Sequence, residues 1–205
     1  MNNIGIEPIG VLLAGGFSSR MGRDKALLPL GKKESLFLTH SFRKLQFLCS
    51  IVLVSVRKEQ IPSYSEWISP ENLLPDEPFS FGGPLKGILS AFSHCVKNGI
   101  RSPILTLPVD MPKVRIRTLE RLKSMGKNSS EGVFYTGENG LEPLCGFFPR
   151  EYLSDWWAEY ESGRIVDVSP RSKILSRHPL LLELPKSERE GFRNINLWED
   201  YINIK

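Results

Sequence analysis

No apolar run in this sequence reaches the ~20 residues that a bilayer-spanning helix needs. The N-terminal MNNIGIEP has no basic stretch leading into a long apolar one, so a signal peptide is not expected and the cytoplasm is the expected compartment. Cysteine and histidine are scarce, with three of each in 205 residues. Cys49, Cys95 and Cys145 are scattered, and no pair has metal-ligand spacing, which points to reduced thiols serving as small core residues. His40, His94 and His178 are equally dispersed, so a zinc site is not expected. No Ser-His-Asp set stands out as nucleophilic machinery. The Walker A pattern and the dinucleotide fingerprint G-x-G-x-x-G are both missing. There is no basic stripe interleaved with aromatics, which argues against a nucleic-acid partner. Repeats and low-complexity segments are also missing.

What remains is a globular composition, 40% hydrophobic and 24% charged, with a formal net charge of +4. That mild excess suits an anionic small molecule. Short apolar runs alternate with helical patterns. IGVLLA (9–14), IVLVSV (51–56), NLLPD, PILTLP, GVFYT, LCGFF and LLLEL read as strands. The segment 36–48 carries Leu38, Phe42 and Leu45 at helical spacing, continued by Cys49. GPLKGILSAFSHCVKNG opens with Gly-Pro, closes with Asn-Gly, and places Ile88, Phe92 and Val96 on one face. IRTLERLKSM does the same with Ile116, Leu119, Leu122 and Met125. The alternation predicts an α/β fold of three layers, with a mostly parallel mixed sheet. Its length suits one domain, in which a polar loop at 126–132 separates a nucleotide-binding half, 1–125, from an acceptor half, 132–205. The stretch from about 160 to 190 is irregular.

Ligands in such sheets bind at the carboxyl ends of strands, and three constellations fall there. VLLAGGFSSRMGRDKALLPL (11–30) runs from a buried strand into Gly15 and Gly16, then Ser18, Ser19, Arg20 and Lys25. Adjacent glycines allow a sharp turn and close approach to a ligand, and free backbone N–H groups form an anion-binding concavity. A phosphate loop is the reading that follows, with a solvated strand-to-helix turn as the alternative. In LLPDEPFSFGGPLKGI, Asp76 ends a strand and Gly82, Gly83 and Pro84 open a helix, which places a carboxylate where a ribose hydroxyl or a base edge can meet it. In LTLPVDMP, Asp110 follows a strand between Pro108 and Pro112, a hard oxygen ligand suited to Mg²⁺. A turn-forming or capping role is the alternative for each carboxylate. Near the end, FRNINLWEDY places Asn194 and Asn196 around a short strand, with Glu199 and Asp200 starting a helix.

The segment LLAGGFSSRMGRDKALL resembles the signature L-A-G-G-x-S-x-R-M-G-x-D-K of the molybdenum cofactor guanylyltransferases. The resemblance extends in order through the Asp76 and G-P-L-K-G segment, the Asp110 segment, GLEPLCGFF and FRNINLWEDY. It implies a Rossmann-like nucleotidyltransferase that moves GMP from GTP to molybdopterin carrying molybdenum, releasing pyrophosphate and using Mg²⁺. By the same resemblance Leu13, Ala14, Gly15, Gly16, Ser55, Asp76, Gly83, Pro84 and Leu85 contact GTP. Arg20 and Lys25 act on its phosphates, and Asp110 ligates the metal and contacts the nucleotide. Asn194 and Asn196 lie on the acceptor side. GTP and molybdopterin are the implied small-molecule partners, with cofactor-biosynthesis proteins and target molybdoenzymes as protein partners and no nucleic acid or membrane. Ser55, Lys86, Glu142, Leu197 and Trp198 depart from the family pattern. They leave open a molybdopterin cytidylyltransferase, another nucleotidyltransferase of the same fold, or a non-catalytic nucleotide-binding protein. Gly15–Gly16 and GPLKGI favour guanine.

Overall fold

The computed structural model describes residues 6–19, 21–31 and 35–204. The first strand, β1 (Ile9–Leu13), has no polar side chain and is buried on both faces, as a central parallel strand must be. A glycine-rich loop and a short antiparallel pair, β2 (Pro29–Leu30) and β3 (Ser35–Leu36), lead into α1 (Phe37–Leu48) and then β4 (Val52–Val56). A one-turn helix, α2 (Ile61–Tyr64), precedes β5 (Leu73–Pro75), α3 (Pro84–Lys97) and β6 (Ile104–Pro108). The rest is α4 (Ile116–Lys127), the hairpin β7 (Val133–Gly137) and β8 (Gly140–Phe148), α5 (Arg150–Glu161), α6 (Pro170–Leu175), β9 (Leu180–Glu183) and α7 (Trp198–Ile202).

Seven strands form one sheet in the order β5-β4-β1-β6-β8-β7-β9. β8 runs antiparallel to both of its neighbours, and the other adjacent pairs are parallel. Side chains alternate across the pleat and so feed two cores. Leu12, Val54 and Leu107 pack with Leu38, Leu45 and Leu119 of α1 and α4, joined by Tyr201 of α7. Ile9, Val11 and Leu53 pack with Ile88 and Phe92 of α3, Leu153 and Trp156 of α5, and Ile174 of α6. The expected three-layer α/β fold with a mostly parallel sheet is what forms. The sheet also continues through the 126–132 region, because β7 and β8 join on to β6. Among the described residues, no helix is long and apolar enough to cross a membrane.

Several local expectations need correction. Val96 is 45% exposed, because the inward face of α3 runs through Leu85, Ile88, Leu89, Phe92 and Cys95. Ile116 and Met125 are also exposed; the inner face of α4 is Leu119, Leu122 and Gly126, the last lying flat against the Phe147 ring. Asn194 and Asn196 flank no strand. Residues 193–197 are coil, pinned where the Ile195 N–H donates to the Asp110 carbonyl at 2.9 Å. The stretch expected to be irregular holds α6 and β9. All three cysteines are free and buried, as expected for core thiols.

One buried charge holds the turn that follows β6. Lys44 on α1 is 8% exposed, and its Nζ donates to the carbonyls of Pro112 (2.5 Å) and Val114 (2.6 Å). Burial pushes this ammonium down to about 8. Lys44→Met keeps the aliphatic stem but strands two carbonyls. It is expected to cost about 2–4 kcal/mol of stability, read as a lower urea midpoint with an unchanged m-value.

Candidate active site

The four parallel strands β5, β4, β1 and β6 end together. Leu13 is level with both Ser55 and Pro108, and Val56 is level with Pro75. The residues just beyond these ends are therefore brought side by side: Gly15 after β1, Arg57 after β4, Asp76 after β5 and Asp110 after β6. β1 connects to β4 on one side while β6 lies on the other, so the crevice opens where the strand order reverses. It is a cavity of about 380 Å³, lined by the 13–18 loop, the Gly82–Pro84 segment and the strand ends, with Lys25, Arg57, Lys86, Asp76 and Asp110 as its charged members.

The glycine-rich loop is shaped differently from the expectation. Gly15 and Gly16 do not take up a left-handed turn; that conformation falls on Ser18 (φ 47°) and Gly22 (φ 63°). Gly15 is required for a close approach of another kind. A Cβ there would lie 2.8 Å from Asp76 Oδ2, so the glycine lets the carboxylate pack against the loop. Among the described residues, no group accepts from the N–H of Gly16, Phe17 or Ser18, and all three residues line the cavity. Ser18 Oγ accepts from the Lys25 N–H at 3.2 Å and closes the loop. Ser19 and Arg23 are exposed, and Arg20 lies outside the described residues.

A polar network beneath the loop fixes its path. The Asp24 carboxylate accepts from the Ala26 N–H (3.0 Å), from Gln60 Nε2 (2.8 Å) and from the Tyr64 hydroxyl (2.9 Å to Oδ2). Gln60 Nε2 also lies 3.2 Å from the Ala14 carbonyl. Burial, with the Asp24 charge added, pushes the Tyr64 phenol up, so it stays a neutral donor. From the far end of the chain, Trp198 Nε1 donates to the Met21 carbonyl at 3.1 Å, and the Tyr201 hydroxyl donates to the Pro29 carbonyl at 3.0 Å.

Lys25 is the centre of the site. Its Nζ donates to Asn196 Oδ1 at 2.7 Å and to Asp110 Oδ2 at 3.2 Å, with the lysine side chain only 12% exposed. Residues from the loop, from the turn after β6 and from the C-terminal segment thus meet at one ammonium. On the opposite wall, Ser55 Oγ donates to Asp76 Oδ1 at 2.7 Å, and Gly87 of α3 is bare of a side chain where Ser55 Oγ lies against it. Burial pushes the Asp76 carboxyl up. The Ser55 hydrogen bond and the charges of Lys86 and Arg57 oppose that shift.

Of the residues singled out from sequence, Leu13, Ala14, Gly15, Gly16, Lys25, Ser55, Asp76, Gly83, Pro84 and Asp110 line the cavity. Leu85 does not; it is fully buried in the core beneath α3. Asn194 is exposed and outside the lining, while Asn196 reaches the site through Lys25. Sequence reasoning missed Phe17, Arg57, Val109 and Leu144 in the lining. Arg57 was legible as the first residue past a strand end, the same offset that marked Asp76. The Asp24–Gln60–Tyr64 network had no signal beyond the aspartate in the signature.

Residues 10–178 match the family described as the MobA-like NTP transferase domain. The chain is 30% identical over 197 residues to a molybdenum cofactor guanylyltransferase of Rhizobium meliloti, covering 94% of this chain and 88% of that one. It superposes with a TM-score of 0.70 on the molybdopterin-guanine dinucleotide biosynthesis protein A of Archaeoglobus fulgidus, at 19% identity over 96% of each chain. A Mycobacterium tuberculosis protein solved in complex with manganese superposes with a TM-score of 0.66, at 18% identity over 97% of each chain.

Gln60→Leu removes the donor shared by Asp24 and Ala14 and leaves a half-buried carboxylate short of a partner. Its expected effect is a loss of about 1–3 kcal/mol, with amide exchange accelerating across residues 14–26 while β4 stays protected.

Proposed function

The chain belongs to the MobA-like NTP transferase family, and we propose that it transfers GMP from GTP to molybdopterin carrying molybdenum, giving molybdopterin guanine dinucleotide and pyrophosphate. The observation that carries this reading is the convergence of Asp110 and Asn196 on Lys25 Nζ at the wall of the cavity. A guanylyltransferase needs one cation within reach of both the nucleotide phosphates and an acceptor. Residues 1–125 supply the nucleotide site in this account, and 132–205 supply the acceptor side through Asn196.

The chemistry asks little covalent work of the protein. The acceptor phosphate is anionic at neutral pH and attacks the α-phosphorus of GTP without a general base. The new P–O bond forms as the bond to the β-phosphate breaks. Catalysis is then positioning and charge neutralisation. The N–H groups of residues 16–18 cradle the phosphates, Lys25 takes charge developing on the departing pyrophosphate, and Asn196 and Asp110 hold that ammonium in place. Arg20 carries the same phosphate role by its place in the signature.

Asp110 suits a divalent cation, Mg²⁺. Lys25 occupies its Oδ2, and its Oδ1 has no protein partner among the described residues. One carboxylate oxygen, with waters and substrate phosphates completing the shell, is how Mg²⁺ is commonly held. When bound there, the ion would neutralise phosphate charge and offset repulsion between the two anionic reactants.

Pyrophosphate release measured with GTP, CTP and ATP in the presence of molybdenum-loaded molybdopterin tests the reading, with GTP the expected substrate. Turnover with CTP alone would instead indicate a cytidylyltransferase, and GTP binding without release a non-catalytic protein. Lys25→Ala and Asp110→Asn are each expected to lower turnover by at least ~10²-fold with the fold intact by circular dichroism. Near-normal turnover in either variant would contradict the assignment.

A further inference from the structure

Arg57 has no role in the account above, yet it lies in the same cavity. Its guanidinium carbon stands 4.2 Å from the centroid of the Phe17 ring, and both residues are part of the lining. Phe17 is otherwise a large aromatic left 78% exposed. Arg57 Nε is buried and has no hydrogen-bond partner among the described residues. A Cβ placed on Gly15 would be 2.8 Å from Asp76 Oδ2 and 3.8 Å from the Arg57 backbone N, so the two residues flank the same point of the loop.

The two ends of the cavity differ in chemistry. At one end Lys25 and the loop amides suit phosphates. At the other end Asp76, held by Ser55, repels phosphates and suits a group rich in donors. Guanine presents its N1–H and N2 amino donors next to the O6 acceptor. A carboxylate and a guanidinium placed side by side complement that edge. A 6-amino purine puts a donor where O6 would be, and a guanidinium has no acceptor to meet it. Stacking on Phe17 limits the rotamers of the arginine and pre-organises its donors.

We propose that Arg57, held against Phe17 beside Asp76, donates to the O6 of the guanine of bound GTP and sets the preference for guanine over 6-amino purines. The assignment rests on the guanylyl-transfer reading and deepens it, giving Asp76 the N1–H and N2 donors and Arg57 the acceptor. A site that hydrogen-bonds one substituent rejects an analogue that leaves its own group unpaired.

The test is equilibrium binding by calorimetry with the full chain, Mg²⁺ and no acceptor. The ligands are GTP, ATP, ITP and the triphosphate of 2,6-diaminopurine riboside, which keeps the N2 amino group, replaces O6 with an amine and turns N1 from a donor into an acceptor. The wild-type protein is expected to bind GTP at least ~10-fold more tightly than the diaminopurine analogue. In Arg57→Ala that ratio falls by at least ~3-fold, the remainder being the N1–H that Asp76 still reads, while the penalty for ITP, which keeps O6 and N1–H and lacks the N2 amine, is unchanged. Arg57→Lys, which retains a donor, restores part of the ratio. Asp76→Asn shows the reverse pattern, losing discrimination against ITP first. Equal weakening of all four nucleotides in Arg57→Ala would assign the arginine to phosphate or to structure and overturn the proposal. A wild-type protein with no preference for GTP over ATP would overturn the guanine reading and this assignment together. Selective GTP binding without dinucleotide formation would remove the transfer reading and leave the base assignment standing.

Discussion

A lysine ammonium that is 12% exposed must be matched by acceptors, and the arrangement of this molecule follows from how Lys25 finds its own. One acceptor, Asp110, follows the central strand β6. The other, Asn196, comes from 171 residues further along the chain. Neither is a sequence neighbour, so the ammonium is satisfied only when the sheet has assembled and the C-terminal segment has folded back across it. The site is thus a product of the complete fold, and the same contact brings the two halves of the chain to one charge.

The supporting structure limits the freedom of each partner. Asp110 is fixed from two directions: the Ile195 N–H on its carbonyl, and Lys44 beneath the following turn. Asn196 is fixed because the Asp200 carboxylate accepts from the Asn196 and Leu197 N–H groups at 3.1 and 3.0 Å, capping α7. Lys25 is fixed through Ser18 and through the Asp24 network next to it in sequence. Trp198 then ties α7 to the loop at Met21. Trp198, which departs from the family pattern, is thus the residue that makes this contact between the C-terminal helix and the glycine-rich loop. Glu142, another departure, sits half-buried on β8, where burial pushes its carboxyl up against the opposing charge of Arg171.

Much of this was legible in the sequence. Strand ends marked by a carboxylate within one or two residues located Asp76 and Asp110, because a parallel sheet collects its functional groups at that edge. The glycine-rich run located the loop, although its purpose at Gly15 is to admit Asp76 rather than to turn the chain. Leu85 lies outside the lining because the Gly-Pro-Leu run spans a helix start: Gly83 and Pro84 face the cavity while the next residue has turned into the core. Asn194 is exposed and outside the lining, because 193–197 is coil rather than the expected strand and only Asn196 reaches Lys25. The contacts of Lys44, Gln60, Tyr64 and Trp198 left no local pattern to read. Each depends on pairing across the fold, at separations from tens of residues to most of the chain.

The central claim is that Lys25 and Asn196 act as one unit. It is tested most directly by a double-mutant cycle read as the rate of dinucleotide formation, followed by mass spectrometry with GTP, molybdenum-loaded molybdopterin and Mg²⁺. The account predicts that Asn196→Ala slows wild-type protein by ~10-fold or more and slows Lys25→Ala by less than about threefold, because the asparagine acts by holding the ammonium. Full multiplication of the two effects would show that the residues work independently and would contradict the account.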